Sequence, residues 1–405
     1  MDKIPTIFIS AGEASGEQYG ALLIEALREQ LHSAGRAATF FGMGGPRMAS
    51  AGLERVVQAE DMAVMGITEV ALHLPRIYRG YHALRQSLHK RRPAVAVLID
   101  FPDIHFKLAA ECKRLGIPVI FFVSPQLWAW KKHRIKLVKK FVDKMLVIFP
   151  FEEPFYRERG VQAEFVGHPL ADLPAPQISR EDFALANGLN PGGRWLALLP
   201  GSRAKEIRSN LPEMLKAART LSPRGKFEFI VPLAPTLNEA QRAMTRRIID
   251  EYGAGLPIHT TADARAALLY ARVSVVASGT ATVEAALIGN PFVVVYRVSP
   301  LTYAIAKQVV KVPHVAMANL IAGKRAVPEL IQGEFTAANI VRNVGPLLPD
   351  GEARESMMQE LLRIRSLLTA NQRTGTPRQT TAMGRVAQIV LEQMGIRTGE
   401  PAYSA

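Results

Sequence analysis

The apolar run Leu196-Ala197-Leu198-Leu199 meets Pro200-Gly201-Ser202-Arg203 and then a helical pattern from Ala204. A strand-length apolar run that stops at Pro-Gly and resumes as a helix marks a parallel α/β sheet, whose central strands are buried on both faces. Such a junction presents unpaired helix N-terminal amides at the carboxyl end of a strand, where open α/β sheets bind anionic ligands. Here it also carries a hydroxyl and a guanidinium.

The same junction recurs along the chain. Thr6–Ser10 runs into Ala11-Gly12-Glu13-Ala14-Ser15-Gly16-Glu17 and a helix bearing Leu22, Leu23, Ala26 and Leu27. Thr39–Gly42, Val95–Ile99, Val119–Val123 and Met145–Phe149 read as further strands, Val95–Ile99 ends in Asp100-Phe101-Pro102-Asp103, and Glu164–Val166 leads into Gly167-His168-Pro169. The proline-bearing stretch Leu170–Ile178 reads as a linker. A second series then predicts strands at Trp195–Leu199, Phe227–Val231, Val273–Ala277 and Phe292–Tyr296, with two helices after about Arg354 and a polar end at Arg397–Ala405. The expectation is two doubly wound domains facing one another across a cleft. Residues 1–170 form the first and 171–350 the second; 351–405 are C-terminal helices packing back on the first domain or on a partner subunit. A chain of 405 residues fits two cores.

Composition narrows the compartment more than the chemistry. The lone Cys112 cannot form an intramolecular disulfide, which points to a reducing compartment, and its helical setting favours packing. Met1–Ser10 shows no signal peptide, and no apolar run is long enough to span a bilayer, so the expectation is a cytoplasmic protein whose membrane contact is peripheral. The net charge of +14 concentrates in Lys131, Lys132, His133, Arg134, Lys136, Lys139 and Lys140 and in Lys90-Arg91-Arg92. Nucleic acid, anionic lipid and a phosphorylated substrate each suit that charge, as does a plain solvated helix face. The methionine-bearing Met62–Tyr78 stretch, with Arg76 and Arg79, reads as core or as a lipid-touching surface helix.

Several chemistries lose their anchors. The chain has no H-E-x-x-H, no cysteine pair, no G-x-S-x-G elbow, no Walker loop and no G-x-G-x-x-G, so no metal or cofactor is expected. Phosphate handling remains. Beside Gly201-Ser202-Arg203, the junction Ala277-Ser278-Gly279-Thr280 would offer small side chains and amides to a diphosphate, with Glu284 in the following helix for ribose hydroxyls or as a capping residue. Arg203 serves the diphosphate or a structural ion pair. Gly12 and Gly16 allow either a tight turn or close approach of a ligand.

The motifs Gly12-Glu13-Ala14-Ser15-Gly16-Glu17, Gly45-Pro46-Arg47-Met48, Ala63-Val64-Met65-Gly66, Ile99–Asp103, Val123–Trp130, Val166-Gly167-His168-Pro169, Leu199–Arg203, Ala277–Glu284 and Pro313–Asn319 together resemble lipid-A-disaccharide synthase, from about Thr6 to Leu330. The first loop departs from that family's usual pattern, with Ala14 for threonine and Glu17 for aspartate. The resemblance implies a GT-B glycosyltransferase of the inverting kind that joins UDP-2,3-diacylglucosamine to 2,3-diacylglucosamine 1-phosphate, giving the β-1,6 disaccharide and UDP. Its partners would be a UDP-sugar glycolipid donor, a phosphorylated glycolipid acceptor and the anionic cytoplasmic face of the inner membrane, without nucleic acid, and the chain could pair as a homodimer.

By the same resemblance Asp100 is the general base and Arg203 stabilises the diphosphate. Gly201, Ser202, Ser278, Gly279, Thr280, Glu284 and Asn319 line the donor side, while Gly12, Ser15, Gly16 and His168 position the acceptor. Asp103 is an alternative helix cap, and His168 an alternative hinge residue. Trp128 and Trp130 line an acyl or sugar surface or pack in the core. The alternatives are another GT-B UDP-sugar enzyme, such as a UDP-N-acetylglucosamine 2-epimerase, and a basic nucleic-acid-binding protein.

Overall fold

The computed structural model describes residues 4–62, 67–299, 303–304, 312–369 and 381–396. The chain divides into two units, one of residues 1–172 with 368–405 and one of residues 173–367. The division falls inside the proline-bearing stretch expected to be a linker.

The first unit holds a seven-stranded parallel sheet. Its strands are β1 (Thr6–Ala11), β2 (Thr39–Gly44), β3 (Leu53–Gln58), β4 (Val95–Ile99), β5 (Val119–Phe122), β6 (Lys144–Val147) and β7 (Ala163–Phe165), in the spatial order β3-β2-β1-β4-β5-β6-β7. The second unit repeats the plan with β8 (Arg194–Leu199), β9 (Phe227–Pro232), β10 (Ile258–Thr261), β11 (Val273–Ala277), β12 (Phe292–Tyr296) and β13 (Glu329–Ile331), ordered β10-β9-β8-β11-β12-β13. Every recorded strand pair is parallel, with helices between strands as crossovers. The strand order reverses once in each sheet, between β1 and β4 and between β8 and β11. The crevice outside the strand ends at that reversal is where doubly wound sheets bind ligands.

The central strands form because their residues are apolar on both faces. All five residues of β4 are buried, as are all five of β11. The helix Ala204–Leu221 buries Ile207, Leu211, Met214, Leu215 and Ala218, a helical-period stripe that seats it against the second sheet. In the first unit the helix Ala14–Ser33 buries Leu23, Ile24, Leu27 and Leu31. Cys112 lies fully buried in the helix Pro102–Arg114, where burial pushes its thiol pKa up to about 12, consistent with packing alone.

The chain end departs from the expected grouping of residues 351–405. The helix Glu352–Leu368 belongs to the second unit as far as Leu367, whereas the helix Ala382–Gln393 packs on the helix Ala14–Ser33 of the first. Three polar ties fix the latter. Gln30 donates to the Gly384 carbonyl at 2.8 Å, the Ala382 amide donates to Asp172, and Arg385 pairs with Glu164 at 2.7 Å. The polar end at 397–405 lies outside the described residues, as does Ala63–Gly66. Within the Met62–Tyr78 stretch, Met62 is buried and Tyr78 is exposed.

Candidate active site

In the first unit, the ends of β1 and β4 run side by side, with Ala11 opposite Ile99. β4 gives way to Asp100 and Phe101, both in the left-handed region at φ 51°. Two consecutive non-glycine residues in that region are costly and persist only where the surroundings hold them. Phe101 takes the cap position of the helix Pro102–Arg114. Asp103 is therefore not the cap: it lies in the first turn and pairs with Arg134. The Phe101 ring lies on Gly12, where a Cβ would come within 2.5 Å of it, so glycine is needed for close approach of a side chain of the protein itself. Gly16 is less constrained, because a Cβ there would meet Ala11 and Ile99 at 3.5 and 3.6 Å, ordinary contact. Ser15 is half-buried in the first turn of the helix Ala14–Ser33, whose N-terminus has no side-chain cap.

Asp100 is half-buried, and its carboxyl pKa is raised to about 7. Burial is the main cause and the nearby Glu13 carboxylate the second; a hydrogen bond from the Phe101 amide opposes them. A carboxyl poised near neutrality is suited to take a proton from a hydroxyl. Beneath it lies His105, fully buried and absent from the residues expected for the site. Its Nδ1 is 2.6 Å from the Asp100 carbonyl and its Nε2 is 2.8 Å from Ser10 Oγ.

In the second unit, Gly201 sits at φ 117° where β8 ends, a conformation that suits glycine. Glu206 then folds back: its Oε2 accepts from the Ser202 amide at 3.1 Å and the Arg203 amide at 3.3 Å, and its Oε1 pairs with Arg203 at 3.3 Å. In this structure the two amides leading into the helix Ala204–Leu221 are thus occupied by a carboxylate of the chain, a place an incoming phosphate would contest. Asn210, three-hundredths exposed, donates to the Pro200 carbonyl and fixes the turn from beneath. The Arg203 side chain is half exposed and reaches outward.

The neighbouring junction is open. Gly279, at φ 140°, caps the helix Thr280–Ile288 with backbone alone, and nothing lies within 4 Å of where its Cβ would be. The Gly279 and Thr280 amides have no hydrogen-bond partner among the described residues. Ser278 is half-buried, with Oγ 3.5 Å from the Val315 carbonyl. Glu284, also half-buried, has its carboxyl pKa raised by burial, opposed by Arg265, and shows no hydrogen bond among the described residues. Open amides, a bare glycine and an unpaired carboxylate on one strand end make a coherent setting for a phosphorylated sugar.

A family model described as lipid-A-disaccharide synthetase matches residues 7–380. The lipid-A-disaccharide synthase of Acidobacterium capsulatum is 57% identical over 403 residues, covering 97% of this chain and 98% of that protein. The chain belongs to the lipid-A-disaccharide synthase family. Among solved structures, the calicheamicin glycosyltransferase CalG4 aligns over 97% of this chain and 99% of its own at 17% identity, with a TM-score of 0.59. A UDP-GlcNAc 2-epimerase from Neisseria meningitidis, solved with UDP-GlcNAc bound, aligns over 96% and 98% at 11% identity and a TM-score of 0.60. These likenesses show the fold, that of GT-B glycosyltransferases and related epimerases. The sequence kinship makes the chain a glycosyltransferase of lipid A biosynthesis rather than an epimerase or a nucleic-acid-binding protein.

Within that family setting, other expected residues take structural places. Glu17 accepts from the Arg47 amide at 2.8 Å and so holds the helix Pro46–Ala51. Asn319, expected on the donor side, is fully buried and spent inside the second unit. Its amide donates to Val327 O at 2.9 Å and Glu329 Oε1 at 2.7 Å, while its carbonyl accepts from Val327 N at 2.9 Å. It therefore braces Glu329, which in turn accepts from the Val315 and Ala316 amides and holds that loop beside Ser278.

His168 is buried among Tyr19 and Phe149, its pKa pushed down to about 3 by burial. Its Nδ1 accepts from the Leu170 amide, so the neutral ring serves the local turn. Trp128 donates to the buried Glu152 at 3.1 Å, whereas Trp130 is 43% exposed with Lys131 Nζ 4.2 Å over its ring.

Among the described residues, no group of three His, Cys, Asp or Glu side chains is placed to hold a metal ion, and no helix is long and apolar enough to cross a membrane.

Proposed function

We propose that the chain catalyses an inverting transfer from UDP-2,3-diacylglucosamine to 2,3-diacylglucosamine 1-phosphate, forming the β-1,6 disaccharide 1-phosphate and UDP. Asp100 takes the proton of the acceptor 6-hydroxyl as its oxygen attacks the donor's anomeric carbon from the face opposite the leaving group. The bond from that carbon to the diphosphate breaks, and the electron pair leaves with UDP. The observation that carries this reading is the half-buried Asp100 at the switch point of the first sheet, with its carboxyl raised to about 7. Gly12, Ser15 and Gly16 shape the loop beside it for the acceptor. His168, buried below, supports the turn that follows β7.

On the donor side, Arg203 supplies the cation that meets charge growing on the diphosphate, with Gly201, Ser202, Ser278, Gly279 and Thr280 adding turn geometry, hydroxyls and amides. Entry of the diphosphate displaces Glu206 from the Ser202 and Arg203 amides. Glu284 receives the ribose hydroxyls, and Asn319 acts through Glu329 on the loop beside Ser278.

The exposed Trp130 with Lys131, Lys132, His133, Lys136, Lys139 and Lys140 favours an anionic lipid surface, since aromatic and cationic side chains together suit a headgroup region. A peripheral place on the cytoplasmic face of the inner membrane, with a homodimer as the working assembly, completes the reading.

The test is UDP release on incubation with both glycolipids, set against a donor-only control. Release only when both are present, with one disaccharide formed per UDP, supports the transfer. No release above the control overturns it.

A further inference from the structure

The Asp100 carboxyl depends on a backbone that disfavours itself. Asp100 and Phe101 both lie at φ 51°, joined through the Asp100 carbonyl. His105 meets that carbonyl. Its Nδ1 lies 2.6 Å from Asp100 O, which as a carbonyl can only accept, so Nδ1 carries the proton. Nε2 is then an acceptor, 2.8 Å from Ser10 Oγ, and the Ser10 hydroxyl donates to it. Ser10 and His105 are both fully buried, and burial holds the imidazole pKa down to about 4, which keeps this neutral tautomer. The ring is wedged edge-on between Phe101 at 5.7 Å and Phe121 at 6.1 Å. A side chain on the first turn of a helix thereby links the next-to-last residue of β1 to the residue that follows β4.

We propose that His105 is a positioning residue for the transfer: through the Asp100 carbonyl it holds the strained turn that aims the Asp100 carboxyl. This rests on the reading of Asp100 as the base. Two polar variants separate positioning from plain packing. The amide nitrogen of His105→Asn stands where Nδ1 stands, so it can still donate to the Asp100 carbonyl while losing Ser10. The amide of His105→Gln matches Nε2, so it keeps Ser10 and releases the carbonyl. Since a misplacement of about 1 Å in a reacting group can cost about a hundredfold, His105→Gln should lower kcat by about tenfold to a hundredfold and His105→Asn by no more than about threefold. KM for the glycolipids and UDP affinity should match wild type in both.

The experiment measures kcat, KM, UDP binding and thermal melting for both variants beside Ser10→Ala and Asp100→Asn. Equal kcat in the two amide variants, or a loss confined to KM, overturns the proposal. Should His105→Gln fail to fold, Ser10→Ala decides: a kcat within about threefold of wild type, like His105→Asn, supports the carbonyl as the point of action, and a larger loss refutes it. If Asp100→Asn itself retains turnover, the Asp100 reading fails instead, whatever the His105 variants do.

Discussion

The two switch points share one strand order and almost nothing else. At the first, between β1 and β4, the carboxyl proposed as the base is half-buried, strained in its backbone and raised towards neutrality, with a fully buried histidine beside it. At the second, between β8 and β11, the groups proposed for the donor are an exposed guanidinium, the open amides of Gly279 and Thr280, and a glycine with empty space where its Cβ would be. Burial is useful where a carboxylate must become a base, because desolvation disfavours its charged form. Exposure is useful where a diphosphate must be met, because it brings its own charge and needs donors that are not already spent. The same frame therefore serves opposite electrostatics, and the loops decide which.

Substitutions should separate the two. Asp100→Asn keeps the shape of the side chain and removes the base, so turnover should fall by about a hundredfold to ten-thousandfold while UDP binding stays near wild type. Steady-state kinetics with calorimetric UDP titration would show it, and wild-type turnover would remove Asp100 from the mechanism. Arg203→Ala should lower both UDP affinity and turnover, the latter by about a hundredfold or more as for loss of one transition-state donor. Retention of both would break the contrast between the units. A smaller effect is expected in pH. With the free-enzyme carboxyl at about 7, kcat/KM should fall tenfold per unit as pH drops below that value and level off above it. A plateau reaching down to pH 5 would mean that the base is an ordinary, solvated carboxylate.

The second site was far more legible in sequence than the first. The glycine-bearing junctions after β8 and β11 follow from local grammar: apolar run, glycine, small polar residues, helix. β3, β10 and β13 escaped notice because they are short or carry polar residues, as with Leu53-Glu54-Arg55 in β3 and His259-Thr260 in β10, and each lies at the edge of its sheet. Asp100 was visible as a carboxylate at a strand end, but His105 was not, since its partner Ser10 is 95 residues away and only strand pairing brings them together. One signal existed. His105 falls on the helical stripe of Leu108, Ala109 and Cys112, so it had to be buried, and a buried imidazole must find partners for both nitrogens. Glu206 was likewise readable as the third residue after Arg203, the spacing at which a carboxylate turns back on a helix start. The sequence places Asn319 near the donor-side junction without saying that its amide is hydrogen-bonded inside to Val327 and Glu329.

The least of these effects is the most direct test of how the first site is held. An Asp100 carboxyl near 7 in the folded protein and near 3.8 when unfolded means that, between those values, the folded chain binds a proton that the unfolded chain does not. Stability contributed by Asp100 is thus fully present below about pH 4 and is lost as pH rises through about 7. Asp100→Asn cannot ionise and escapes that loss. At pH 8 the variant should melt above wild type, by about 2–4 °C for each kcal/mol recovered, and at pH 4 the two should coincide. His105 and His168 act in the opposite direction in acid. Held neutral by burial, they favour the unfolded chain once pH falls below about 6.5, equally in both proteins, so the difference between the melting curves isolates Asp100. A variant that is less stable than wild type at pH 8 would mean that the carboxylate is stabilised where it sits, and that the turn at Asp100 and Phe101 is held for structure rather than for chemistry.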